Sequence, residues 1–309
     1  MTFGFATTTD EVISGRDLTG TMAIVTGSSS GLGKETARAL AAAGSRVLLA
    51  GRNEEVLAAV ARDIAENIPG AALEIGHLDL TSLAQVRQFA ESFLAANERL
   101  HLLVNNAGVM YTPFEHTADG FELQFGTNHV GHFLLTCLLA PALLNDAPSR
   151  IVNLSSGGHF ASDVVWDDPN FERNPYDPFI AYGQSKTANI LFTVELERRL
   201  GARGVHAFAV HPGLVATELG RYMTPEVRAQ LMEKARRGGG MPERKSLTQG
   251  AATTLWAATA PGLEAFGGSY LADCQVSEHV AAWAVDPHAA ARLWASSEEM
   301  VGQKFPLTP

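Results

Sequence analysis

The stretch Thr26-Gly27-Ser28-Ser29-Ser30-Gly31-Leu32-Gly33 follows an apolar run, MAIVT (22–26), and leads into an alanine-rich helical pattern over 32–43. Strand, glycine-rich turn and helix in that order set a helix N-terminus at the carboxyl end of a strand. Glycines let the backbone turn tightly and approach a bulky anion, and the helix start offers N–H donors and positive dipole. Ser29 and Ser30 add hydroxyl donors beside Gly27, Gly31, Leu32 and Gly33. The spacing is G-x-x-x-G-x-G rather than G-x-G-x-x-G, so by itself the motif also reads as a plain strand–helix turn. Its neighbours decide between the two readings.

Working outward, apolar runs alternate with helical patterns along most of the chain. Strands are expected at 22–26, 46–50, 72–76, 101–105, 150–154 and 205–210, with a short one near 267–271. Helices are expected at 32–43, 54–66, 82–97, 119–145, 180–201, 248–258 and 288–301. The strands are apolar without strict alternation, as strands covered on both faces are, so the class is α/β with a parallel sheet. Asp79 and Thr81 stand as N-terminal caps for the helix at 82–97. No linker divides the 309 residues, which read as one domain with a lead over 1–20 and two excursions. The excursions are GGHFASDVVWDDPNFERNPYDPF (157–179) and GRYMTPEVRAQLMEKARRGGGMPERKS (220–246), the second with a hinge-like Gly238-Gly239-Gly240. Loops of such length in a compact domain are usually lids or binding loops.

Composition narrows the function. Hydrophobic residues make up 46% and charged residues 18%, a globular mixture. The net charge of −10 opposes binding to a nucleic-acid backbone but leaves room for a local basic pocket. Two cysteines, Cys137 and Cys274, provide neither a disulfide framework nor a zinc pattern. The first twenty residues lack the pattern of a signal peptide. The longest apolar segment, 133–144, holds Thr136 and Pro141 and is too short to span a bilayer. A cytoplasmic protein without membrane anchor is expected.

The second strand bears on the ligand. An unphosphorylated ribose is normally held by an acid at this strand's end, about twenty residues past the glycines. Here the strand ends in Gly51-Arg52-Asn53. Arg52 would pair with a 2′-phosphate that a carboxylate would repel, which favours NADP(H) over NAD(H). The alternative is a solvated surface arginine. Asp79 and Leu80 end the third strand, where Asp79 accepts from an adenine amine, caps a helix, or does both. Asn106, Ala107 and Gly108 end the fourth, where the cofactor's ribose would lie.

At the other end, Ser155 and Ser156 follow the fifth strand, and Tyr182 and Lys186 stand four apart at the start of a long helical pattern. That spacing puts phenol and ammonium on one helix face. A lysine beside a phenol favours phenolate, and a poised tyrosine can serve as general acid or base. A nearby serine hydroxyl can hold a substrate oxygen.

With TGSSSGLG (26–33), NNAG (105–108), Ser156, YGQSK (182–186) and HPGLVAT (211–217) in this order, the chain resembles the short-chain dehydrogenases/reductases. The resemblance implies a Rossmann-type, doubly wound, seven-stranded parallel sheet flanked by helices. It also implies Asn128, Ser156, Tyr182 and Lys186 as catalytic residues, with Asn128 supporting a water-mediated proton relay and Lys186 also binding the cofactor ribose. Pro212, Gly213, Val215 and Thr217 match the segment that fixes the nicotinamide end. GGSYLADC (267–274) and ARLWASSEEMVG (291–302) narrow the likeness to retinol-dehydrogenase-like and WW-domain-oxidoreductase-like members. The membrane-anchoring segment of many retinol dehydrogenases and the WW domain are both missing, which points to a soluble relative. The expected activity is hydride transfer between NADP(H) and a carbonyl or alcohol of a bulky, apolar substrate, in a chain that could form a homo-oligomer. Alternatives are an NAD-dependent dehydrogenase of the same family and a non-catalytic NADP-sensing regulator.

Other patterns are set aside. His129 and His132 lack a third ligand, so no metal is expected. Ser156, His159 and Asp163 lie on one loop without a nucleophile elbow. Phe160, Trp166, Phe171 and Tyr176 either line a substrate pocket or pack the insert onto the sheet.

Overall fold

The computed structural model describes residues 3–97, 99–237 and 243–307. Its strands are β1 (Met22–Thr26), β2 (Arg46–Gly51), β3 (Leu73–His77), β4 (Leu102–Asn105), β5 (Ser149–Leu154), β6 (Val205–His211), β7 (Leu214–Val215), β8 (Arg244–Lys245), β9 (Tyr270–Ala272) and β10 (Gln275–Val276). The helices are α1 (Thr9–Ile13), α2 (Gly31–Ala42), α3 (Glu54–Asn67), α4 (Leu83–Ala96), α5 (Leu123–Phe125), α6 (Gly131–Asn145), α7 (Pro178–Leu200), α8 (Pro225–Arg237), α9 (Leu247–Thr259) and α10 (Pro287–Met300).

The main sheet runs β10-β9-β6-β5-β4-β1-β2-β3. Seven of these strands are parallel, as expected, and β10 adds an antiparallel edge. The eighth strand arises from a tight hairpin at Asp273 and Cys274, both with positive φ, a turn too short to stand out in the sequence. β7 and β8 form a separate parallel pair that joins the two ends of the second excursion. The strand order reverses between β1 and β4, and a crevice opens at their carboxyl ends.

Alternating side chains send β1 into two cores. Ile24 joins one face with Leu103, Ile151, Phe133 and Trp294, while Ala23 and Val25 join the other with Val47, Phe208 and Leu255. Helices α4, α6, α7 and α10 cover the first face, and α2, α3 and α9 cover the second. Leu123–Asn145 is long and apolar enough to cross a membrane by length and composition, beyond what the 133–144 segment suggested. Yet 83% of its apolar window is buried between the sheet and its neighbours, as a central core helix is.

Caps mark most helix starts. Asn53, Ser82, Asp177, Ser246 and Asp286 each accept backbone N–H bonds at the helix they precede. The cap of α4 is therefore Ser82; Asp79 instead accepts from Thr81 N at 2.9 Å and Thr81 Oγ1 at 2.8 Å, closing the turn before it. Ser30, at the start of α2, makes no such side-chain bond. The second excursion holds the thirteen-residue α8, where the sequence suggests a long loop. Gly238, Gly239 and Gly240 lie outside the described residues.

Candidate active site

The glycine loop is shaped by close approach. Gly27 has φ of 67°, and a Cβ there would stand 2.8 Å from the Ala107 Cα, so the β1 and β4 turns touch through backbone. A Cβ on Gly33 would run into the Gly27 carbonyl and the Asn106 amide. Thr26, at the tip of β1, locks the second turn. Its hydroxyl accepts from Asn106 N at 2.9 Å and Ala107 N at 3.0 Å, while Asn106 Nδ2 donates to Thr26 O at 2.8 Å.

Around this junction lies a cleft of about 380 Å³. Gly27, the run Ser29–Gly33, Arg52, Asp79, Leu80, the run Asn106–Gly108 and Thr217 all line it. Arg52 is exposed at one end and has no ion-pair partner among the described residues. Thr217 reaches over the loop: a Cβ on Gly31 would meet its methyl at 3.4 Å. Pro212, Gly213 and Val215 stand beyond the cleft, where β7 pairs with β8.

Gly108 joins the cleft to the second constellation. A Cβ there would lie 3.1 Å from Asn128 Oδ1 and 3.7 Å from Lys186 Nζ. Asn128 sits in a π-helical segment, Gly126–Val130, between α5 and α6. Its side chain accepts from Val109 N at 2.8 Å and donates to Val109 O and to Ser185 Oγ, both at 2.9 Å. It is therefore committed to bracing the β4 turn against α7. Its carbonyl, near the His132 Nδ1 at 3.0 Å, is tied in turn to Thr26 by the other ring nitrogen at 2.9 Å.

Ser155 and Ser156 separate in role. The Ser155 hydroxyl is spent on the Lys186 carbonyl at 2.9 Å, whereas that of Ser156 faces the Tyr182 phenol and caps Gly158 N at 3.0 Å. Lys186 is buried, donates to the Leu154 carbonyl at 3.0 Å and lies 5.6 Å from the centre of the Tyr182 ring. Burial pushes its ammonium down to about 8. Burial also raises the Tyr182 phenol above its ordinary range, and the bond from Ser156 pulls it partly back. The lowering expected from Lys186 is not what the structure gives: burial dominates the phenol, and the ammonium turns to the Leu154 carbonyl.

Those rings were not singled out from sequence. Tyr111, with φ of 54°, meets Tyr182 edge-on at 5.4 Å and Phe179 at 4.6 Å. Met110, Met223, Val227 and Leu231 pack on this trio, bringing α8 over the catalytic candidates. Phe179 ends the first excursion; its other aromatics lie elsewhere. Phe160 stacks on His159 and His279, Trp166 lies under Arg292 at 4.3 Å, and Phe171 packs edge-on to Tyr176. Tyr176 donates to Thr112 O at 3.0 Å and reaches Glu122, a buried carboxyl pushed up to about 7, so the insert is pinned to α5. His129 and His132 serve structure: His129 Nε2 bonds Ser297 Oγ at 2.8 Å, and His132 joins Thr26.

Comparison with known proteins agrees with this geometry. The short chain dehydrogenase family model matches residues 21–228. Mouse retinol dehydrogenase 12 is 42% identical over 283 residues, covering 92% of this chain and 87% of that protein. Human retinol dehydrogenase 13 is also 42% identical, over 288 residues, covering 93% and 86%. Among solved structures, an uncharacterised protein of Mycobacterium paratuberculosis superposes with a TM-score of 0.76 at 34% identity, covering 95% of this chain and 98% of its own. The family model spans most of the chain and its relatives nearly all of it, and so the chain belongs to the short-chain dehydrogenase/reductase family of oxidoreductases.

Proposed function

We propose that the protein is an NADP(H)-dependent oxidoreductase that interconverts a carbonyl and an alcohol on a bulky, apolar substrate. The observation that carries this reading is one continuous path. It starts at Arg52, follows the glycine loop past Gly108, and reaches Lys186, Tyr182 and Ser156 beneath an apolar wall. A nicotinamide dinucleotide would fit the cradle, because glycine-loop backbone from Ser29 to Gly33 lines the cleft and the start of α2 carries no side-chain cap. Asn106, Ala107, Gly108 and Thr217 would hold its middle, and Pro212, Gly213 and Val215 would border the nicotinamide end. When bound, the nicotinamide donates or accepts hydride.

The chain's own residues then divide the remaining work. Ser156 holds the substrate oxygen by its hydroxyl. Tyr182, held protonated by burial, gives its proton to that oxygen during reduction and takes it back during oxidation. Lys186 would hold the cofactor ribose, and it keeps positive charge beside the Tyr182 ring. Asn128 holds the Val109 turn and Ser185 in register through its side chain, while its carbonyl meets His132 Nδ1. Tyr111, Phe179 and the α8 residues exclude water and favour an apolar substrate.

NADP preference rests on Arg52, exposed in the cleft with no carboxylate paired to it among the described residues. A gluconate 5-dehydrogenase of Burkholderia cenocepacia, solved in complex with NADP and tartrate, is a structural neighbour that supports the choice, at a TM-score of 0.64 and 25% identity over 83% of this chain and 94% of its own. Steady-state rates with NADPH and NADH across apolar aldehydes, ketones, steroids and retinoids test the whole reading. Arg52→Asp is expected to cut the preference for NADPH by about tenfold or more. Equal use of both cofactors by the unaltered protein would refute the role of Arg52. The soluble, cytoplasmic setting and self-association expected from the sequence belong to the same proposal, and fractionation with light scattering tests them.

A further inference from the structure

We infer that His159 is a positioning residue for Ser156, bridging the serine's backbone to the C-terminal segment at Ala281. The inference rests on the reading of Ser156 as the holder of the substrate oxygen. His159 is fully buried in the 3₁₀ turn Gly157–Ala161 that starts from Ser156. Ala281 N–H donates to its Nε2 at 3.1 Å, which requires a bare acceptor nitrogen there. The ring proton therefore sits on Nδ1, which donates to the Ser156 carbonyl at 2.7 Å. One neutral imidazole thus joins the two segments, and each ring nitrogen has a single fixed role.

The surroundings leave the ring no other arrangement. It lies edge-on to Tyr270 at 5.1 Å and against Phe160 at 4.1 Å, and its own carbonyl accepts from Thr187 Oγ1 at 3.2 Å. The next peptide is held by a second histidine, for Gly157 N–H donates to His211 Nδ1 at 3.2 Å. The turn also presses on the tyrosine: a Cβ on Gly158 would stand 2.7 Å from the Tyr182 ring. A drift of Ser156 by a fraction of an ångström would therefore misplace its hydroxyl against the phenol and the substrate oxygen. Ala281 lies outside the stretch matched by the family model, so the C-terminal third reaches the reacting groups through this side chain.

Three variants of the full chain separate the two halves of the bridge. His159→Phe keeps a ring and removes both bonds. His159→Asn places an amide near the Nδ1 position, and His159→Gln places one near Nε2. Hydrogen–deuterium exchange over residues 155–161 and 279–285 is read without cofactor or substrate, and kcat, KM and NADPH Kd are read separately. The expected result for His159→Phe is faster exchange in both segments together and a kcat lower by about tenfold or more, with NADPH Kd unchanged. His159→Asn is expected to recover most of kcat while 279–285 stays loose, and His159→Gln to tighten 279–285 while kcat stays low. Unchanged exchange and kcat in His159→Phe would overturn the inference, as would equal losses in all three variants accompanied by weaker NADPH binding. Linked exchange in a protein that turns over none of the carbonyls or alcohols would support the bridge while overturning the proposed function.

Discussion

Lys186 shows how much a single side chain gives up in stability for a role in the site. Its ammonium is buried with one carbonyl partner, and its pKa falls from 10.5 to about 8. Between those values the unfolded chain binds more protons than the native one, so stability rises with pH across that window. Below it, burying the charge costs on the order of 3 kcal/mol. Lys186→Met removes that cost, and the Leu154 carbonyl keeps the Asn189 amide at 2.9 Å. The variant is expected to resist denaturant better than the parent at neutral pH, with the advantage fading as pH rises from about 8 to 10.5, and to lose turnover. Equal or lower stability at neutral pH would show that the ammonium is better solvated than its burial indicates. That Tyr182 and Lys186 share one helix face was legible from spacing, because i, i+4 geometry is local, whereas Ser156 was singled out only by its place after the fifth strand and among the motifs. The fate of Ser155, bonded to the Lys186 carbonyl, was not, because that contact joins a strand tip to a helix.

At the scale of the element, α8 carries the substrate side of the account. Met223, Val227 and Leu231 recur every four residues and face Tyr111, Phe179 and Tyr182 rather than either sheet core. Replacing Val227 and Leu231 together by Asn is expected to raise KM for a bulky apolar substrate by about tenfold, the equivalent of roughly half of each side chain's burial. NADPH affinity should stay within about twofold in the same variant. An equal rise in KM for a small, polar ketone would argue against an apolar wall. The helix escaped the sequence reading because its stripe is narrow and its other positions are charged, so it looks like a solvated loop. Tyr111 escaped too, since its place beside Tyr182 depends on a positive φ after β4. The π-helical segment at Asn128 had no local signal either, for the extra residue per turn shows only when α5 and α6 are docked.

For the molecule as a whole, the parallel sheet and its order of helices were readable because strand and helix periods alternate cleanly from Met22 onward. The partition into two cores was not, because it depends on which face each helix covers. The C-terminal third completes both faces: α9 packs on one and α10 on the other. Trp294 of α10 is buried against Phe133 at 5.0 Å and Phe192 at 6.0 Å, with the Arg199 guanidinium at 4.1 Å from its ring. Trp294→Ala is expected to lower unfolding free energy by about 3–5 kcal/mol, read by denaturant titration. A loss under about 1 kcal/mol would mean that α10 is peripheral.

Charge tells a similar story at this scale: a net −10 counts against polyanionic partners, while the isolated Arg52 sits at the end of the glycine-lined cleft. In the proposed reaction this cleft would bring a nicotinamide to a carbonyl that Tyr182 protonates. Its most direct test compares Tyr182→Phe with the unaltered protein for NADPH-dependent reduction of a bulky apolar aldehyde or ketone, with NADPH affinity measured by its fluorescence. A rate loss of about a thousandfold at unchanged NADPH Kd is expected; turnover retained by the phenylalanine variant would refute a proton donated by Tyr182.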